Sequence, residues 1–278
     1  MSTTAEHCTE AHMDNGTYYR HWRAAKPVRA VILLAHGLGE HSGRYQGFAD
    51  FFLARGISVV ALDHAGHGAS PGERAHITGF DDFLRPLDGL REMISEWYPD
   101  LPCFLIGHSM GGVIAARYLL DHQDKFAGAA LSGAALQAVE PPSVFAMFLA
   151  RLFSRFLPKM GMLQLDATQI SRDVDVVQDY IEDPLVHHGK ATARLVVELL
   201  QNMELVERDR GKITLPILVM HGEADAMTSS EGSKAFHNAV GSADKTLKIY
   251  PELFHEIFNE PERLEVLGDL ASWLDARV

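Results

Sequence analysis

A chain of 278 residues that is 47% hydrophobic and 22% charged has the composition of a globular protein able to bury a sizeable core. Its 25 basic and 37 acidic residues give a formal charge of −12, and no Lys/Arg-rich run tracks a phosphate backbone, so nucleic acid is excluded as an expected partner. Residues 1–15 have neither a basic n-region nor an apolar h-region, so they read as a polar tail rather than a signal peptide, and the cytoplasm is the expected compartment. With Cys8 and Cys103 as the two cysteines, no disulfide framework is expected.

Residues 17–23 alternate aromatic and polar side chains and read as an edge strand. Residues 30–35 are apolar on both faces, as parallel strands between helix layers are. They empty into a glycine-punctuated loop, residues 36–45, at a strand end where open α/β sheets bind ligands. Residues 48–55, closed by Gly56, predict a helix, and residues 57–62 predict the next strand. The turn that follows carries His64 and His67. Lacking the i, i+4 helical spacing and a nearby third ligand, they read as hydrogen-bonded turn histidines and not as a metal site. Apolar spacing predicts a helix over 80–98, kinked or irregular at Pro86. Strand-type residues 102–106 then run into Gly107-His108-Ser109-Met110-Gly111 and out into a helix over 113–120, and residues 126–132 form another strand.

From residue 133 to 210 the alternation of strand and helix stops. This interval reads as an inserted, mostly helical cap, with residues 1–132 and 211–278 forming the core. Its first part, residues 143–157, is a helix apolar almost all round, with Arg151, Arg155 and Lys159 on a narrow polar strip. Ordinary core, acyl-tunnel wall and membrane-surface docking all fit that pattern. Its place in the insertion favours a lid that meets lipid, with Phe148 and Leu152 contacting substrate. A turn over 183–188 and an amphipathic helix over 191–205 follow. Strand 217–220 then delivers His221-Gly222-Glu223-Ala224-Asp225, strand 246–250 delivers Pro251 to Glu256, and a helix through Trp273 closes the chain. The order predicts an α/β-hydrolase fold: a mostly parallel central sheet flanked by helices, with one insertion.

The chemistry centres on Ser109. A strand that turns directly into a helix around one residue brings two backbones together, and glycines at 107 and 111 clear that space, so the motif and its context make a nucleophile elbow. A serine needs a base near neutrality and an acid to hold that base in the right tautomer. Asp225 and His255 each follow a late strand, in the order Ser, Asp, His that belongs to this fold. Glu223 competes for the acid role but lies at the strand's immediate exit, whereas Asp225 is far enough along to turn back. The oxyanion donors are expected to be the backbone N–H groups of Met110 and Leu38. Glu40 and Arg44 either touch the leaving group or fix the loop as an ion pair. No cofactor is expected.

The 36–45 loop, the 107–112 elbow, His221 to Asp225 and residues 244–250 together resemble the monoacylglycerol lipase family of α/β-hydrolases, which includes lysophospholipases. That resemblance implies hydrolysis of a monoacylglycerol or similar single-chain ester, with Ser109, Asp225 and His255 as the triad. It further implies a tunnel for one acyl chain and a cap that touches membranes peripherally. The alternatives are a lysophospholipase or general carboxylesterase, and, in another class, a non-catalytic ligand-binding member of the fold.

Overall fold

The computed structural model describes residues 8–25, 27–137 and 143–278. Eight strands form one sheet in the order β1-β2-β4-β3-β5-β6-β9-β10. They are β1 (Cys8–His12), β2 (Tyr18–Trp22), β3 (Ala30–Ala35), β4 (Ile57–Leu62), β5 (Cys103–His108), β6 (Gly128–Ser132), β9 (Ile217–Gly222) and β10 (Lys245–Tyr250). From β4 to β10 the pairings are parallel, and β1 and β2 add an antiparallel edge. This is the α/β-hydrolase architecture.

The apolar strands explain the layering. Along β3, Val31 and Leu33 face one layer with Phe83, Leu87, Ile114 and Leu195, while Ile32 and Leu34 face the other with Phe48, Phe52, Leu270 and Leu274. The first layer contains α2 (Asp81–Trp97), α3 (Met110–His122), α6 (Ala193–Asp209) and α7 (Ser230–Ala239); the second contains α1 (Gln46–Leu53) and α8 (Arg263–Asp275). The chain visits β4 on one side of β3 and β5 on the other. The sheet order therefore reverses at β3/β5, the crevice where open α/β sheets take ligands.

Three expectations are corrected. Residues 8–12 are not a tail but the edge strand β1, and β2 behind it is buried rather than at the edge. The missed signal is Asn15-Gly16, a hairpin turn in which Asn15 Oδ1 accepts the Thr17 N–H at 2.9 Å and Gly16 adopts φ +84°. Helix α2 also runs unbroken through Pro86. The buried Phe83, Leu87 and Leu90 around it offset the one missing backbone bond. Helix α7, capped by the Ser229 side chain, was not foreseen.

Between β6 and β9 lie α4 (Val144–Phe156), a two-stranded antiparallel ribbon of β7 (Gly161–Leu163) and β8 (Ala191–Thr192), α5 (Val174–Glu182) and α6. In α4, capped by Ser143, the small Ala150 and Ser154 are buried where the helix packs on α6. The bulky residues lie on the other side. Phe145, Phe148 and Phe156 are 60% or more exposed and Leu152 is 41% exposed, so the helix is not ordinary core. Among the described residues no helix is long and apolar enough to cross a membrane.

Candidate active site

Ser109 stands between β5 and α3 at φ 53°, ψ −118°, a backbone conformation that costs about 1–3 kcal/mol and persists only where the surroundings enforce it. Here the Ser109 N–H is tied to the Ser132 carbonyl at 3.0 Å. A Cβ on Gly107 would lie 2.3 Å from the Gly111 carbonyl oxygen, and one on Gly111 would lie 2.1 Å from that of Ala35. Both glycines are required for the elbow to close.

His255, buried after β10, presents Nδ1 to Asp225 Oδ2 at 2.7 Å. Burial opposes charge on this imidazole, but the Asp225 carboxylate, with Glu256 and Glu40 beyond it, outweighs burial and raises its pKa above 6.5. Asp225 is itself buried, which would raise its pKa. The charge of His255 and hydrogen bonds from His221 and His255 hold it far below the usual carboxylate range instead. Its Oδ1 accepts the N–H groups of Met227 at 2.7 Å and Thr228 at 3.0 Å. Glu223 points to solvent and takes no part. His108 packs its ring 4.7 Å from that of His255 and donates from Nδ1 to the Ser132 carbonyl at 3.0 Å.

The loop after β3 lies against the elbow. A Cβ on Gly37 would sit 3.2 Å from the Ser109 Cβ, which brings Leu38 to the nucleophile's side. Glu40 fixes this loop from within: its Oε1 accepts the Gly37 N–H at 2.7 Å and the Tyr45 hydroxyl at 2.8 Å, and its Oε2 accepts Arg44 at 2.9 Å. Arg44 also forms a bidentate pair with Glu256, at 2.5 and 2.8 Å. Burial works to raise the Glu256 pKa, but the Arg44 charge brings it down to about 2. Sequence reasoning missed Glu256: its acidic side chain beside His255 was visible, but its partner Arg44 lies 212 residues away. From outside, the turn after α5 holds the same loop: His187 N–H donates to the Gly39 carbonyl and His41 Nε2 to Asp183 Oδ2, both at 2.8 Å. His41 Nδ1 accepts the Gly43 N–H at 3.1 Å, which fixes that tautomer.

Two hollows meet at Ser109. One, of about 240 Å³, is apolar and runs between Leu38, Met110, Leu163, Leu165 and the α6 side chains Val196, Leu199, Leu200 and Met203. The other, about 10 Å³, is bounded by Gly37, Glu40, Tyr180, His255 and Glu256. Phe148 and Leu152, expected at the acyl site, do not line either hollow, because α4 turns them outward and α6 supplies the wall.

His67 keeps the expected turn hydrogen bond, its Nδ1 donating to the Ala65 carbonyl at 3.0 Å, whereas His64 differs from expectation. They are buried with His36, with ring centroids 4.3 to 6.5 Å apart, and neither ring nitrogen of His64 has a hydrogen-bond partner among the described residues. His64 packs as an apolar group against Phe83. Asp63 closes the turn instead, accepting from Ser42 N–H and Oγ–H and from Ala69 N–H at 2.6 to 2.8 Å.

The family described as "Serine aminopeptidase, S33" matches residues 26–262. A monoacylglycerol lipase of Mycolicibacterium smegmatis is 37% identical over 98% of this chain and 98% of its own length. The human monoglyceride lipase is 34% identical over 94% of this chain and 87% of its own. The crystal structure of a Paleococcus ferrophilus monoacylglycerol lipase superposes with a TM-score of 0.85 at 34% identity, covering 94% of this chain and 99% of that one.

Proposed function

The chain belongs to the monoacylglycerol lipase family of α/β-hydrolases, serine hydrolases in which one elbow serine acts, and from that premise we propose that it hydrolyses monoacylglycerols to fatty acid and glycerol. The observation that carries this reading is the meeting at Ser109 of an apolar hollow fit for one acyl chain and a small polar recess, of about one water's volume, edged by the Glu40 and Glu256 carboxylates. In the polar hollow, Glu40 and Glu256 face a single cation, Arg44. Two carboxylates accept hydroxyl donors and repel a phosphate, which favours a glycerol leaving group over a lysophosphatidyl one.

In the reaction, Ser109 Oγ attacks the ester carbonyl while His255 takes its proton, and Asp225 keeps the imidazole oriented. The Leu38 and Met110 N–H groups receive the oxyanion, aided by the N-terminus of α3. His255 then protonates the departing glycerol oxygen. A water molecule, deprotonated by His255, releases the fatty acid from the acyl-enzyme.

Residues 133–210 form the cap in this reading. Phe145, Phe148, Leu152, Phe156 and Leu157 give it an exposed apolar face. Arg151 and Lys159 face Glu204 and Glu73, whereas Arg155 lies over the Phe156 ring and is placed to meet an anionic headgroup. Peripheral docking through this face lets an acyl chain pass from bilayer to tunnel without crossing water, which would cost about 0.8 kcal/mol per methylene exposed.

The test compares kcat/KM over monoacylglycerol, lysophosphatidyl and alkyl esters of one chain length, alongside fluorophosphonate labelling of the parent and of Ser109→Ala. Preference for the glycerol ester and labelling lost in Ser109→Ala are expected. A preference for the lysophosphatidyl ester would overturn the substrate assignment, and an unlabelled parent would overturn the enzymatic one.

A further inference from the structure

Asp225 has a second imidazole partner. His221, at the end of β9 and fully buried, places Nε2 3.1 Å from Asp225 Oδ2, the same oxygen that His255 occupies at 2.7 Å. The Thr228 hydroxyl lies 2.8 Å from that oxygen, but it has one proton and the Gly133 carbonyl competes for it at 2.9 Å. An ionised carboxylate can only accept, so His221 must present its N–H from Nε2. Its Nδ1 then faces Ser233 Oγ at 2.7 Å, and Ser233 is also fully buried, in the first turn of α7. The same Nε2 also meets the Thr228 carbonyl at 3.3 Å, so its N–H is shared between the two acceptors, and a line of polar contacts runs from α7 through His221 to Asp225 and on to His255.

We infer that His221 and Ser233 are positioning residues for the triad: Ser233 donates to His221 Nδ1 and holds the ring in place, and His221 both stops Asp225 from rotating and draws charge away from the oxygen that supports His255. The inference rests on the reading of Ser109, His255 and Asp225 as the triad. Its sign is determined by electrostatics. With the His221 donor gone, Oδ2 concentrates its charge on His255, the protonated imidazole is favoured, and the acid limb of the pH profile moves to higher pH. His108, Glu40 and Glu256 also face His255, as does Thr228, and these four stay unchanged in the variants below.

The experiment measures kcat and KM from pH 6 to 9 on a water-soluble short-chain ester for the parent, His221→Leu, Ser233→Ala and His221→Gln, with thermal unfolding and fluorophosphonate labelling of each. In His221→Leu and Ser233→Ala the limb is expected to rise by about half a pH unit or more. The plateau kcat should fall about tenfold with KM within about twofold, since geometry is lost and binding is not. In His221→Gln the side-chain N–H restores the parent limb. A lowered melting temperature with an unmoved limb would reduce the pair to a structural brace and overturn the inference. If His221→Leu fails to fold, Ser233→Ala decides, because it removes one hydroxyl. An unlabelled parent refutes the triad itself, whereas a labelled parent with unmoved limbs refutes only the positioning role.

Discussion

Replacing His64 by Leu should stabilise the protein more at pH 5.5 than at pH 8, by about 1.4 kcal/mol. The imidazole is buried without a partner for either ring nitrogen, and burial first, then the neighbouring His36 and His67, lowers its pKa well below 6.5. The unfolded chain binds a proton here as pH falls below 6.5, and the folded chain does not. Stability is therefore lost as pH drops from 6.5 toward the folded value, at about 1.4 kcal/mol per unit. Leucine has no such proton, and the aromatic contacts it forfeits are the same at both pH values, so the difference isolates the titration. Urea unfolding at the two pH values measures it. Equal effects of the substitution at pH 8 and 5.5 would refute the reasoning. His21, His36 and His108, lowered to about 4, and His67, lowered to about 3, all mainly by burial, add to the same slope.

Activity should rise with pH along a limb centred above 6.5, the direction in which Asp225 moves His255, and Asp225→Asn should slow the reaction by orders of magnitude while Glu223→Gln leaves it near the parent; a pH–rate series on the three proteins checks this. Replacing Phe148 and Leu152 together by Ser should weaken vesicle binding by roughly ten- to a hundredfold in a flotation assay. Hydrolysis of short water-soluble esters should stay near the parent, as both residues are exposed and outside the hollows. Glu252 holds φ 63° with an exposed side chain, so Glu252→Gly should raise stability by about 1 kcal/mol in denaturant unfolding.

The strands and the candidate site residues were legible together because the same physics writes both. Core strands are apolar on both faces, and Ser109, Asp225 and His255 sit just past strand ends, where the periodicity breaks into glycine and polar residues. The elbow was plainest, since Gly107 and Gly111 are demanded by backbone contacts and not by packing that other residues could supply. What stayed hidden depends on distance in sequence. Arg44 and Glu256 are 212 residues apart, and nothing local in either announces the other. The outward face of α4 was ambiguous because an apolar stripe looks alike whether it meets core, tunnel or water. Ala150 and Ser154, small enough for α6 to approach, were the discriminating residues. Strand β1 escaped notice because an edge strand with one wet face has a polar composition.

The loop that carries Leu38 is gripped by Glu40 on its inner side and by Asp183 and His187 on its outer side. A displacement of the 183–188 turn would release the outer grip and leave this loop, with the Leu38 N–H, held by Glu40 alone. A large substrate that pushes the 183–188 turn away from the loop should therefore lose kcat even when it binds well.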